Sequence, residues 1–560
     1  MALPDFFATG DFLKKTLKQR YITSAFILLV STVIVKIISA VYKIPLTTYI
    51  GATGRGYFSV AYNLCMPIHA ITMGAFPLAL TKLVSTFDAK GDTEKIAALR
   101  KASKKLFFIV GAVGMLIMII FAKPYTNLIS SSPKSIYTVF ALAPSVFFSC
   151  LCACHRSFAE GFLDMKPTAV SQMIEALFKM VFGLLFARLS MSYLFNSYLD
   201  TSTVFGISVS TNNEALSVIY PFTSAFAMLG ATFGSITSYI FAGIYTNIKY
   251  KYSDLKAIHS KSAYDELLTF SATLVGATAI QSIANFIDTS SIQYCLSLCN
   301  PDVLAQQYVN TGDDVLSYIF GIYALNLDFK NLVPSIVMAL GITAVPAVSS
   351  AYESSSENFS HLITNIFKYT VILSVAGGTF LALFSKEILS VFYLKNNPDI
   401  VVNATQLLFW FGVTSLPCAA ASTSVFCTQS LGFAKQTIAP FAVSALVRVG
   451  LNFLLITNSN INILATAISN FAGFFIILVW NMITISKKTN AKFNIFQIFL
   501  KPVLCGIVTY FATDYIKLSF YGETFRLTVF VQCILICLLL FAFSLIITKS
   551  ISLKEIKSLK

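Results

Sequence analysis

The chain has 560 residues, 56% of them hydrophobic and 12% charged, with a mean hydropathy of +0.75. A soluble domain needs about a quarter of its residues charged to cover its surface, which excludes a string of soluble domains and points to an all-α polytopic membrane protein. The formal net charge of +15 does not argue for nucleic acid, because Lys and Arg also accumulate in cytoplasmic loops, and no basic run with interleaved aromatics lies outside the apolar segments.

The N-terminus carries Lys14, Lys15, Lys18 and Arg20 ahead of a long apolar run and has no cleavable signal pattern. Apolar runs then follow at 21–43, 57–86, 106–122, 136–158, 168–190, 214–246, 265–290, 316–346, 362–384, 401–428, 438–457, 461–485, 497–516 and 525–548. At about 20 residues per crossing, these predict about 14 transmembrane helices, several long enough to be tilted. With the N-terminus inside, Lys and Arg favour the inner segments by roughly three to one, so both termini are expected in the cytoplasm. A multi-pass membrane protein is the expectation.

Short matches recur at an offset of about 270 residues. Gly74-Ala-Phe-Pro77-Leu-Ala79 pairs with Gly341-Ile-Thr-Ala-Val-Pro346-Ala347. Gly161-Phe162-Leu163 pairs with Gly432-Phe433-Ala434, and Ala176-Leu177-Phe178-Lys179 with Ala445-Leu446-Val447-Arg448. Two duplicated six-helix bundles plus two C-terminal helices are therefore expected. The boundaries are 1–250 for spans 1–6, 251–486 for spans 7–12, and 487–560 for spans 13–14 and the tail. Duplicated transporters of this kind place their substrate between the halves, near the midplane.

Charges inside apolar spans are costly and normally face a cavity or a partner. Here they are mostly positive: Lys36, Lys43, Lys179, Lys330 and Arg448, with Arg55 and Arg156 at span ends. The acidic ones are Glu160, Glu175, Asp288 and Asp328. Lys43 and Arg55 are close enough to an interface to snorkel. Glu175 and Lys179 stand four apart on one helix face and are able to pair. Lys36, near the middle of its span with no local acid, is the leading cavity candidate, and His69 is a lesser one. These twelve residues form the candidate substrate-binding set. An excess of fixed positive charge suits an anionic cargo of the phosphate or diphosphate class.

Other chemistries find little support. Cys150, Cys152 and Cys154 point in different directions on one helix, so no metal is expected there, and the remaining cysteines lie mostly in apolar runs as small hydrophobes. The four histidines (His69, His155, His259 and His361) are scattered. No G-x-S-x-G, H-E-x-x-H or P-loop is present and no loop has room for a catalytic domain, so no enzyme, catalytic residue or cofactor is expected. The coupling ion is left open.

Two stretches carry a family resemblance. The first is Gly51-Ala-Thr-Gly54-Arg55-Gly56-Tyr57-Phe58 followed by Gly74-Ala-Phe-Pro77-Leu-Ala79-Leu-Thr-Lys82. The second is Arg156-Ser157-Phe158-Ala159-Glu160-Gly161-Phe162-Leu163-Asp164-Met165-Lys166-Pro167-Thr168-Ala169-Val170-Ser171-Gln172-Met173-Ile174-Glu175. The chain resembles the SpoVB/MurJ-type polysaccharide biosynthesis and lipid II flippases of the MATE-like MOP superfamily, with Ser157 and Glu160 where that family usually has Gly and Gln. The resemblance implies a MATE/MOP-like fold and an alternating-access flippase. Its cargo would be a lipid-diphosphate-linked oligosaccharide, lipid II or a similar cell-envelope precursor, moved from the inner to the outer leaflet. It implies an anionic polyprenyl-diphosphate-linked sugar as partner, a polyprenyl groove at spans 13 and 14, and cavity cations represented by Lys36, Lys43 and Lys330. A monomer among membrane lipids is expected. The alternative is a cation-coupled MATE-type multidrug exporter.

Overall fold

The computed structural model describes residues 5–250, 260–353, 359–520 and 526–550. His259 and the basic tail beyond Ser550 lie outside the described residues. The described chain is almost entirely helical. Eleven of its helical stretches are long and apolar enough to cross a membrane. The first, Val30–Ala89, is 60 residues long and runs through two of the expected spans. The expected spans at 265–290 and 316–346 fall on α7 (Ser260–Ser297) and on α9 (Val315–Lys330) with α10 (Leu332–Glu353). The expectation of an all-α polytopic membrane protein holds.

The chain divides into two compact units, Met1–Phe286 and Ile287–Lys560. In the first, α1 (Asp5–Ala70) continues through a π-helical turn at Ile71–Ala75 into α2 (Phe76–Ala89). Pro77, which has no N–H to continue the helical ladder, sits just after that π-helical turn. α3 (Thr93–Pro124), α4 (Ile136–Glu160), α5 (Lys166–Thr201) and α6 (Asn212–Lys249) complete the bundle, with α6 packed on both α4 and α5. Local chemistry sets the starts: Asp92 accepts the Lys95 amide at the head of α3, and Thr211 and Glu214 form a capping box on α6. A two-stranded hairpin, β1 (Thr203–Val204) and β2 (Ile207–Ser208), joins α5 to α6 through Phe205 and Gly206, both at positive φ.

The second unit begins inside α7. It continues through the short α8 (Pro301–Gln307), then α9, α10, α11 (Phe359–Leu383), α12 (Ser385–Tyr393), α13 (Pro398–Ser430), α14 (Ile438–Leu455) and α15 (Ala465–Thr489). α16 (Lys501–Phe520) and α17 (Leu527–Ile547) pair with each other, and α16 packs on α11. A core of Phe359, Ile363, Phe367, Val371, Ile477 and Phe541 ties α11, α15 and α17 together.

A helix of 66 residues running straight would far exceed a bilayer, and α1 is broken at Gly51, where φ is 63° and ψ −175°. That region is open essentially to glycine alone. A Cβ there would also meet the Tyr220 ring at 3.0 Å. Gly51→Ala is expected to cost about 1–3 kcal/mol and to lower the Tm by several degrees. Gly450→Ala, in mid-α14 with nothing within 4 Å of an added Cβ, should leave it unchanged or raised. Thermal unfolding in detergent checks both.

Candidate functional site

In the first unit the end of α4 faces the start of α5. Arg156, 7% exposed, donates from Nε to Ser171 Oγ at 2.7 Å. Its Nη2 donates to Glu175 Oε2 at 2.8 Å and to Ser238 Oγ on α6 at 2.7 Å. One guanidinium thus joins three helices, and its planar fork suits that geometry where an ammonium would not. Glu160 accepts from Thr168 Oγ1 at 2.6 Å. Ser171, Glu175 and Lys179 lie on successive turns of α5, so all three face the bundle interior.

Glu175 therefore goes to Arg156. Lys179 donates to Tyr62 Oη on α1 at 2.5 Å and stands 4.8 Å from the Tyr62 ring and 5.9 Å from that of Tyr42. Such cation–π contacts replace part of the hydration that a buried ammonium loses. His69 is half-buried with Nε2 lacking a hydrogen-bond partner among the described residues, and feels the charges of Glu175 and Lys179. Arg55 is 3% exposed and lies 5.7 Å from the Phe58 ring. Lys36 is exposed and Lys43 half-buried on α1. Neither enters the Arg156 network.

The second unit holds a second cluster. Arg448 Nη1 on α14 lies 3.0 Å from Asp288 Oδ2 on α7. Asn452, one turn after Arg448, donates to Asp288 Oδ1 at 3.3 Å and to Ser291 Oγ at 2.9 Å. Lys330, the last residue of α9, is 2% exposed. Among the described residues it has no carboxylate at ion-pair distance; its Nζ lies 4.9 Å from the Phe411 ring and 5.3 Å from that of Phe474. Phe474 also faces the Arg448 guanidinium at 5.6 Å. Arg448 crosses α15 at Gly473, where an added Cβ would meet its Cδ at 2.5 Å. Asp328 is half-buried near the end of α9.

Of the twelve candidates, the structure thus groups Arg156, Glu175 and Lys179 in the first unit and Asp288, Lys330 and Arg448 in the second. Sequence reasoning missed Tyr42, Tyr62, Ser238, Phe411, Asn452 and Phe474. Apolar rings and small hydroxyls give no signal in a chain full of them. Asn452 was legible, since it stands four residues after Arg448 on one helix face.

It also missed a clamp at the loop 161–165. Asp164 Oδ2 accepts from Lys249 Nζ at 2.6 Å, Tyr250 Oη at 3.0 Å and Tyr245 Oη at 3.1 Å. Arg100 binds the end of α6 through the carbonyls of Tyr250 and Thr246 and through Asn247 Oδ1, satisfying groups that a helix C-terminus leaves open. The Phe162 and Tyr250 rings stack at 4.9 Å.

A groove of three adjoining apolar cavities, of about 280, 540 and 550 Å³, runs along α13 in the second unit. Leu416 and Val503 wall the first two, Val413 the first and third, and Phe471 the second and third. Its walls come from α13, α15 and α16, with α11 behind the smallest cavity.

A profile for the polysaccharide biosynthesis protein family matches residues 22–212. The lipid II flippase MurJ of Bacillus subtilis (strain 168) is 22% identical over 498 residues, 86% of this chain and 85% of that protein. Stage V sporulation protein B of the same organism is 20% identical over 516 residues, 89% and 90% of the two chains. Among solved structures, lipid II flippase MurJ in an inward closed conformation aligns with a TM-score of 0.66 at 14% identity, covering 93% of this chain and 98% of that one. An inward-facing multidrug resistance MATE family transporter of the MOP superfamily aligns at 0.60 and 12% identity, covering 81% and 98%. The resemblance read from the sequence is borne out. The chain has the fold of the MurJ and MATE transporters and is a multi-pass bacterial membrane protein.

Burial opposes ionisation of Asp164, but the hydrogen bonds from Lys249 and Tyr250 outweigh it and hold the carboxyl below the usual carboxylate range. Its stabilising contribution is therefore complete above about pH 4 and is lost as the pH falls below that. Asp164→Asn should lower the Tm at pH 7. It should also flatten the fall in Tm that the parent protein shows as the pH drops below about 4, as measured by thermal unfolding across acidic pH.

Proposed function

We propose that the chain is an alternating-access flippase that carries a lipid-diphosphate-linked oligosaccharide from the inner to the outer leaflet. Lipid II or a similar cell-envelope precursor is the cargo class. The observation that carries this reading is Lys330, a buried ammonium held by two aromatic faces instead of a carboxylate. Cation–π contacts are worth about 0.5–2 kcal/mol, less than a charge-assisted bond to phosphate offers in the same low-dielectric setting. Lys330 is thus poised to exchange its rings for an anion.

The relatives named as a lipid II flippase and a sporulation protein, aligned over more than four-fifths of both chains, support the same reading. So does the apolar groove. α13, its longest wall, is 33 residues long, or about 50 Å, enough to follow a polyprenyl chain across the hydrocarbon. The walls from α13, α15 and α16 shift the tail path from the expected pair of spans 13 and 14 towards the α13 face.

A polar head group does not cross about 30 Å of hydrocarbon unaided. Moving its anionic charge out of a negative interior gains about 2.3 kcal/mol per charge per 100 mV, so the membrane potential suffices to drive export without ATP. The reading assigns both termini to the cytoplasm, transport rather than catalysis, and the boundaries 1–250, 251–486 and 487–560. Lys36, Lys43, Arg55 and His69 complete the proposed binding set with the two buried clusters. The MATE-type drug exporter is less supported. Such a protein needs intramembrane carboxylates open to a cation, and Asp288, Glu175 and Glu160 are engaged by Arg448, Arg156 and Thr168.

Lys330→Ala and Lys36→Ala are expected to weaken lipid II binding about tenfold, one charge-assisted contact, with the fold intact by thermal unfolding. Native mass spectrometry against lipid II and a panel of cationic drugs tests this. Retention of drugs and none of the lipid would overturn it in favour of the exporter.

A further inference from the structure

The Lys330 site contains an anion of its own. Arg448, Lys330 and Asp288 come from α14, α9 and α7, and each is more than nine-tenths buried. Two cations and one carboxylate leave the cluster one positive charge in excess, in a setting where uncompensated charge is expensive. A structural ion pair needs only Arg448 and Asp288, so Lys330 is the surplus member. The charges of both cations reach Asp288, and Phe474 has one of them 5.3 Å and the other 5.6 Å from its ring. Phe474 thus has both cations as neighbours, and a ligand with two anionic groups would offer each of them a partner. The arginine fork also suits phosphate oxygens as well as it suits a carboxylate.

Resting on the flippase reading, we propose that Asp288 is the resident anion of this site. It occupies Arg448 when no cargo is bound and is displaced by the diphosphate of the lipid carrier, which then bridges Arg448 and Lys330. The displaced carboxylate keeps a partner, because Asn452 Nδ2 already donates to its Oδ1 at 3.3 Å. The exchange keeps the buried arginine paired at every stage, so the cost of losing a partner falls on the displaced carboxylate, which retains its bond from Asn452. It also gives selectivity: a neutral lipid or a cation gains nothing by competing with Asp288, and only an anion stronger than one carboxylate repays the displacement.

The test uses the full-length chain in lipid nanodiscs, with farnesyl diphosphate as probe and farnesol as its neutral counterpart. Asp288→Asn removes the competitor and should bind farnesyl diphosphate about tenfold tighter, with farnesol unchanged. Arg448→Gln should bind the diphosphate more weakly than the parent protein, because Asp288 then faces the incoming anion without its partner. The double substitution Asp288→Asn with Arg448→Gln should recover part of that loss. If Asp288→Asn alone fails to fold, the comparison of the double variant with Arg448→Gln decides, and equal affinities overturn the proposal. Parent binding with Asp288→Asn unchanged or weaker overturns the resident-anion assignment and leaves the flippase reading standing. A parent protein that retains no farnesyl diphosphate and no lipid II overturns both.

Discussion

Charge buried among apolar helices has to be compensated where it stands, and that constraint organises both halves of this molecule. Arg156 and Arg448 each bring a guanidinium into a bundle interior, and each meets a carboxylate on another helix at 2.8 and 3.0 Å. Breaking such a pair leaves a lone buried charge at a cost of about 3–5 kcal/mol, so each pair fixes which helices meet, α4 with α5 and α7 with α14. Ser171 and Ser238 complete the first network, and Asn452 with Ser291 extends the second. Gly473 gives way under Arg448, and so ties the chemistry of α14 to the choice of a residue on α15.

The lysines are treated differently. Lys179 rests on Tyr62 and Tyr42, and Lys330 on Phe411 and Phe474. An ammonium is a compact, strongly hydrated point charge, and an aromatic face is a weaker substitute for water than a carboxylate. Each unit thus pairs an arginine with a carboxylate and sets a lysine against aromatic rings. That division suits a carrier, which has to keep its helices together while its binding charges change partners. The apolar groove along α13 lies in the same unit that holds Lys330. The clamp at Asp164, by contrast, belongs to the bundle's own closure, since it joins the loop after α4 to the end of α6 through Tyr245, Lys249 and Tyr250.

Much of this was legible along the chain. Hydropathy marks the spans because the bilayer demands long apolar stretches whatever their neighbours, and the intramembrane charges stand out because they are so rare there. The stretch from Arg156 to Glu175 was singled out for its residues, and the structure finds its two ends bonded to each other. The local i, i+4 pairing open to Glu175 and Lys179 was a poorer guide to Glu175. Arg156, 19 positions away in the chain, offers a fork with two bonds to share where Lys179 offers a single point charge.

Length, composition and the spacing of apolar runs determined by themselves that this is a helical membrane protein with cations inside it, since those properties depend on one residue at a time and on the solvent that surrounds it. Which cation meets which carboxylate, and which is left to aromatic rings, was decided only by the tertiary structure. Asp288 and Arg448 are 160 residues apart, and Lys330 meets Phe411 and Phe474 only because α9, α13 and α15 converge. Partnership between helices is a property of their crossing, and no periodicity within one helix records it.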